Sequence, residues 1–174
     1  LETMKVHQRQ QNIISSLENK YIHDPLTGLL NRRGFYQKVL PDFNRCINEE
    51  KHFIAISVDL NGLKKINDTY GHLAGDVLLK EIALRIMRYL SREDYAFRVG
   101  GDEFVIIIKN NSSTKKTLQI IAEQITEKIN LDGFEYYPEV SMGYAVYPND
   151  GKSLEEVIKC ADSRMYEIKK HKNI

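Results

Sequence analysis

Cysteine is scarce in this chain of 174 residues: Cys46 and Cys160 are its only two. Their positions give neither metal-ligand spacing nor the density of a disulfide scaffold, so the expected setting is reducing and cytoplasmic. Charge of one sign is also lacking. Lys and Arg number 25 against 24 Asp and Glu, a formal net charge of +1 with the signs mixed. That balance offers no electrostatic footprint for nucleic acid or a membrane surface. No apolar run approaches the length of a transmembrane helix, and no signal peptide is present. The chain opens mid-helix, which leads us to expect an excised piece of a longer parent; a membrane anchor in that parent stays compatible, with no direct membrane contact from this piece. What is present is ordinary for one globular domain: 42% hydrophobic residues, enough for a core without staples.

The densest chemical signal is Arg98-Val99-Gly100-Gly101-Asp102-Glu103-Phe104. Upstream, Tyr95 to Val99 has strand composition, and downstream Phe104 to Ile108 is a short apolar run typical of a buried strand. The segment reads as a hairpin, with Gly100 and Gly101 supplying positive φ angles at a tight turn. Asp102 beside Glu103 builds in like-charge repulsion unless a cation sits there, and a divalent metal is the simplest one. A solvated acidic turn is the competing reading. A second acidic position, Asp59, ends the apolar strand that begins near His52. A carboxylate at the carboxyl end of a buried strand lies where open sheets bind ligands, or else it caps the next helical segment. If the strands share a sheet, Asp59 and Asp102 converge on a magnesium site of the phosphoryl-transfer type.

Periodicity supplies the frame. Residues 1–22 form a polar helix whose seam, Ile14, Leu17 and Tyr21, is too short to establish a coiled coil, and His23-Asp24-Pro25 breaks it. Then follow a helix at 33–47, a strand at 53–60, a helical piece at 63–70, a helix at 75–90, the acidic hairpin, a helix at 115–129, a strand at 139–147, and a helix opened by the capping box Ser153-Leu154-Glu155-Glu156. The apolar stripes of these helices read as core. The order is that of the split βαβ, or ferredoxin-like, α+β plan. It is expected to make the first strand and the first hairpin strand parallel neighbours, with Asp59 and the hairpin tip at one end of the sheet.

Asp24-Pro25-Leu26-Thr27-Gly28-Leu29-Leu30-Asn31-Arg32-Arg33, then Asp59 through Lys65-Ile66-Asn67-Asp68, Gly71-His72, Gly75-Asp76, Gly-Gly-Asp-Glu-Phe, and finally Ala161-Asp162, Met165-Tyr166 and Lys169 together resemble the GGDEF family of diguanylate cyclases. Several ordered motifs at compatible spacing over residues 23–172 are far more specific than any one alone. The resemblance implies a palm-like, nucleotide-cyclase-related fold, and a reaction that condenses two GTP into cyclic di-GMP with release of pyrophosphate. It also implies a homodimer of half-sites and an upstream sensor domain. Carried over position by position, Asp59, the Leu60 carbonyl and Asp102 would hold two Mg²⁺ ions, with Mn²⁺ an alternative. Glu103 would be a further ligand or help deprotonate the attacking hydroxyl. Asp59, Asp102 and Glu103 are thus the catalytic candidates. Gly100 and Gly101 would lie against the substrate, Lys64 and Lys169 would contact the triphosphate, and Asn67 and Asp76 would read the guanine. Guanine offers adjacent N1–H and N2–H₂ donors that a carboxylate accepts two-pronged, whereas adenine has no such pair.

Three departures stand out. Asn61 occupies a position where the family often has a second acid. Ser91-Arg92-Glu93-Asp94 puts serine where the family's product-inhibition motif begins with arginine, so feedback through that site is expected to be weak or missing. The tail Lys169-Lys170-His171-Lys172-Asn173 lacks the usual glycine and cation, leaving Lys172 as the candidate second phosphate contact. The expected division is a linker or signalling helix over 1–22 and a catalytic domain over 23–174. An inactive module binding GTP or cyclic di-GMP is the rival.

Overall fold

The computed structural model describes residues 2–49, 51–109, 113–131 and 133–172, with side chains for all of these except 2–3, 13–20, 48 and 172. Helix α1 spans Glu2–Ile22, followed by α2 (Arg32–Gly34), a π-helical turn (Phe35–Val39) and α3 (Leu40–Asn48). The domain continues through β1 (Phe53–Asn61), α4 (Leu63–Tyr70), α5 (His72–Tyr89), β2 (Tyr95–Gly100), β3 (Glu103–Lys109) and α6 (Thr114–Thr126). It closes with β4 (Ile129–Leu131), β5 (Phe134–Tyr136), β6 (Glu139–Tyr147) and α7 (Leu154–Lys172). Among the described residues no helix is long and apolar enough to cross a membrane.

The main sheet runs β2-β3-β1-β6 with every adjacent pair antiparallel, the strand order of the ferredoxin-like plan. The expected parallel pairing of β1 with the first hairpin strand does not form. β1 does not neighbour β2; it lies between β3 and β6, so the second hairpin strand, not the first, is its partner. The register is Asp59 opposite Glu103 and Asp59 opposite Ser141. Asp59 and the hairpin tip still share one end of the sheet, because an antiparallel β3 delivers its first residue to the last residues of β1.

Strand alternation splits the core in two. Ile54, Ile56, Val58 and Leu60 point to one face, under Leu78, Ile82, Ile86, Ile121 and Ile125 of α5 and α6. Phe53 and Ala55 point to the other, under Phe35, Val39, Phe43, Leu154, Val157 and Ala161. Several boundaries differ from expectation. Helix α5 starts at His72, earlier than 75, and α6 stops at Thr126, because Ile129 belongs to the small β4–β5 hairpin. Met87 and Ile168, read as core, are exposed. Ser153 does cap α7, its Oγ accepting from Glu156 N at 3.2 Å, while Glu156 reaches Lys152 N instead of Ser153 N. The seam residues Ile14 and Leu17 lie outside the described side chains, and Tyr21 is exposed beneath the Arg33 guanidinium.

Candidate active site

Asp59 is the third residue from the end of β1, hydrogen-bonded into strands on both sides, and only 2% exposed. Lys169 on α7 donates from Nζ to Asp59 Oδ2 at 2.7 Å. The other oxygen, Oδ1, is buried with no hydrogen-bond partner. Leu60 N donates to the Asp102 carbonyl at 3.0 Å, tying the hairpin tip to the end of β1. At that tip Gly101 has φ +50°, whereas Gly100 does not adopt a positive φ, which corrects the two-glycine turn expected from sequence. Gly100 instead pairs with Glu103 across a register shift after Arg98. A Cβ on Gly100 would meet nothing within 4 Å, so neither backbone nor packing demands glycine there.

A clamp fixes the tip from behind. Arg98 donates from Nε and Nη2 to the Gly101 carbonyl at 3.0 and 2.6 Å, and from Nη1 to Asp24 Oδ2 at 3.1 Å. Asp24 in turn accepts from Thr27 N and Oγ1 at 2.8 and 2.7 Å. Burial pushes the Asp24 carboxyl upward, but these hydrogen bonds outweigh it and hold the group below its ordinary value.

Glu103 shifts the other way. Partial burial raises it first, and the charges of Asp162, Asp59 and Asp102 raise it further, with Lys169 opposing. Lys169 is held above its ordinary value, chiefly by its hydrogen bond to Asp59. Among the described residues, no three or more His, Cys, Asp or Glu side chains are gathered closely enough to hold a metal ion. The orphan oxygen of Asp59 nevertheless fits a cation, since a buried anionic oxygen without a donor is costly. Asp102, Glu103 and the Leu60 carbonyl are the other oxygen donors at this end of the sheet.

The expected base-reading pair lies beyond the end of β1. Gly62 takes φ +77° and starts α4; Gly71 takes φ +86° and separates α4 from α5. Asn67 Oδ1 is buried and has no partner. A Cβ on Gly75 would come within 1.9 Å of it, so Gly75 makes the space that Asn67 occupies. Asp76 follows, half-buried, and Lys64 is exposed on the first turn of α4. Lys172 has its side chain outside the described residues. Sequence reasoning left Asp162 without a role, although it stands two helical turns before Lys169 on α7, a spacing that puts both on one face. The Ser91–Asp94 segment closes on itself: Asp94 Oδ2 accepts from Ser91 N and Oγ at 2.9 and 2.6 Å, and Asp94 Oδ1 from Lys109 N at 2.9 Å.

A family model described as "Diguanylate cyclase, GGDEF domain" matches residues 21–173. The bifunctional diguanylate cyclase/cyclic di-GMP phosphodiesterase MucR of Pseudomonas aeruginosa is 33% identical over 85% of this chain and 22% of its own length. The probable diguanylate cyclase DgcJ of Escherichia coli is 33% identical over 99% of this chain and 34% of its own. The chain thus spans a minor part of these curated relatives. Among solved structures, a sensory box/GGDEF family protein from Caulobacter crescentus superposes with a TM-score of 0.79 at 32% identity, covering 86% of this chain and 99% of that one.

Proposed function

The chain belongs to the GGDEF family of diguanylate cyclase domains, and from that membership we propose that it condenses two GTP into cyclic di-GMP. The observation that carries the proposal is the end of β1: Asp59 buried opposite Glu103, one oxygen unpartnered and the other held by Lys169. Magnesium, two ions per half-site with manganese as substitute, would supply charge neutralisation on the triphosphate and acidify the attacking hydroxyl. The chain's residues do the rest. Asn67 and Asp76 accept from the guanine donors, and Lys64 and Lys169 meet the phosphates. Asp59, Asp102, Glu103 and the Leu60 carbonyl would hold the ions, leaving the Lys169 ammonium to pair with the triphosphate. Gly100 leaves room above the tip for the nucleotide to approach the backbone. Glu103, whose carboxyl is pushed up, accepts the proton of the 3′-hydroxyl. In each step one 3′-oxygen bonds the α-phosphorus of the other GTP, the bond to the β-phosphate oxygen breaks, and pyrophosphate leaves.

One chain presents one set of these residues, so two protomers facing each other supply both half-reactions, and activity rises with dimer population. In this reading residues 1–22 are the signalling helix of a cytoplasmic domain, residues 23–174 are catalytic, and a sensor precedes them in the parent. With Asp94 tied to Ser91 and the Lys109 amide and no arginine at 91, feedback through the segment before β2 is weak or absent.

The Asp59–Lys169 ion pair favours one second reading, a nucleotide-binding module that does not turn over, if the lysine is never displaced. Purified protein is incubated with GTP or ATP and magnesium at several concentrations, and products are identified by mass. Cyclic di-GMP from GTP alone, rising faster than linearly with protein and lost in Glu103→Gln while GTP binding persists, supports the cyclase. GTP binding without product at concentrations where dimers are measured supports the module.

A further inference from the structure

On the face of the sheet carrying Ser57, α7 is drawn hard against β6. A Cβ on Gly143 would lie 2.2 Å from both the Ala161 carbonyl oxygen and Met165 N, so helix and strand backbones touch there. The helical segment beginning at Arg32 packs instead over β2, with the Phe35 and Phe97 rings 4.9 Å apart. Between these two covers the sheet is left unfilled, and a cavity of about 490 Å³ opens, within the range of small-molecule sites. Phe35, Phe97, Val105, Ile158 and Met165 make it largely apolar, and Ser57 lines it from β1. Ser57 is 2% exposed, and its Oγ is buried without a partner. A well-packed interior rarely leaves a hydroxyl in that condition.

The mouth is charged. Glu103, Glu155 and Asp162 line it against Arg32 and Lys159, an excess of one negative charge. None of Asp59, Lys169, Asn67 or Asp76 lines it, so it is a second site that borders the candidate reaction centre at Glu103 and Asp162.

We propose that this cavity binds an aromatic amine: a flat one- or two-ring group among the apolar side chains, a ring N–H donated to Ser57 Oγ, and a protonated amine between the mouth carboxylates. A neutral hydrocarbon leaves the serine and the acids unanswered, and an aromatic acid brings a further negative charge to three carboxylates. The ring also suits Phe35 and Phe97, which offer edges and faces for tilted stacking.

The chain contains no tryptophan, so the indole emission of added tryptamine reports binding directly when excited beyond the tyrosine band. Titration of the whole chain should give a saturable blue shift with a dissociation constant on the order of 0.1–1 mM. Ile158→Phe, which fills the cavity from a half-exposed position, should abolish the shift. Ser57→Ala should weaken binding by about fivefold, the worth of one hydrogen bond, and indole-3-acetate should bind more weakly than tryptamine. The absence of a saturable shift overturns the proposal. So does a shift that survives Ile158→Phe in protein with an unchanged circular dichroism melt, or indole-3-acetate binding as tightly as tryptamine. The readout is binding alone, so it stands or falls apart from the cyclase reading.

Discussion

Replacing Lys169 with methionine keeps an unbranched side chain one atom shorter and removes the ammonium that pairs with Asp59. The ion pair spans 2.7 Å, with the Asp59 side chain 3% exposed and that of Lys169 35% exposed. At an effective dielectric near 20 the gross attraction at that distance is about 6 kcal/mol, most of it offset by desolvation. Breaking a fully buried pair costs about 3–5 kcal/mol and an exposed one about 0–1. With one partner a third exposed, we expect about 2 kcal/mol, a fall in Tm of roughly 4–8 °C for a domain of this size. The sign with pH follows from the raised Lys169 value: the deficit is full below its ordinary 10.5 and closes as pH rises through the folded value. Thermal melts by circular dichroism in EDTA measure the loss. Magnesium should then stabilise Lys169→Met more than the parent, because no ammonium has to be displaced, and adding Asp59→Asn should recover most of the deficit. A Lys169→Met protein melting within a degree of the parent, or one that Asp59→Asn destabilises further, would mean that the pair does not stabilise the fold.

Arg85 is 8% exposed and donates to Glu81 and to the carbonyls of Gln124, Ile125, Glu127 and Lys128. Arg85→Met should therefore cost about 3 kcal/mol in urea unfolding, and a loss under 1 kcal/mol would contradict the role given to those bonds. Gly75→Ala should leave the fold intact, since the atom met at 1.9 Å is the movable end of Asn67. It should weaken GTP binding about tenfold by calorimetry; unchanged affinity would remove Asn67 from the base site. Asp42, hydrogen-bonded by Lys109, Tyr95 and Arg45, is depressed despite its burial, so its contribution is present above 3.8 and lost as pH falls through the folded value. Burial and the bond to Asp42 push Tyr95 up to about 12, so stability should also fall between about 10 and 12. Denaturant midpoints across pH should show the acid arm flattened in Asp42→Asn and the alkaline arm reduced in Tyr95→Phe.

The meeting of Asp59 with the hairpin was legible because two apolar runs and a glycine-rich turn specify strands, and topology then puts their acids at one end. Which hairpin strand pairs with β1 was not legible, since alternation marks faces and not neighbours. Ile129 continues the apolar spacing of α6 and so reads as its last residue, and the rest of the β4–β5 hairpin goes unannounced because three-residue strands show no period of their own. Gly100 was misread as a turn residue for want of any sign of the register shift after Arg98. The Lys169–Asp59 contact joins residues 110 positions apart, and nothing local in either segment announces it. Arg85 sits on an apolar helical face, where its destination, the carbonyls closing α6, depends on packing alone.

The position of β1 divides the candidate site by stiffness. Ala55 to Asp59 are laddered on both edges in the middle of the sheet, while Gly101 and Asp102 lie at a turn beyond the last paired residues, held by Arg98 and by one amide of β1. In amide hydrogen exchange the first group should open only with global unfolding and the second by local fluctuation. When charge is brought to this end of the molecule, Asp59 is the fixed post and the hairpin tip is the part that adjusts to it.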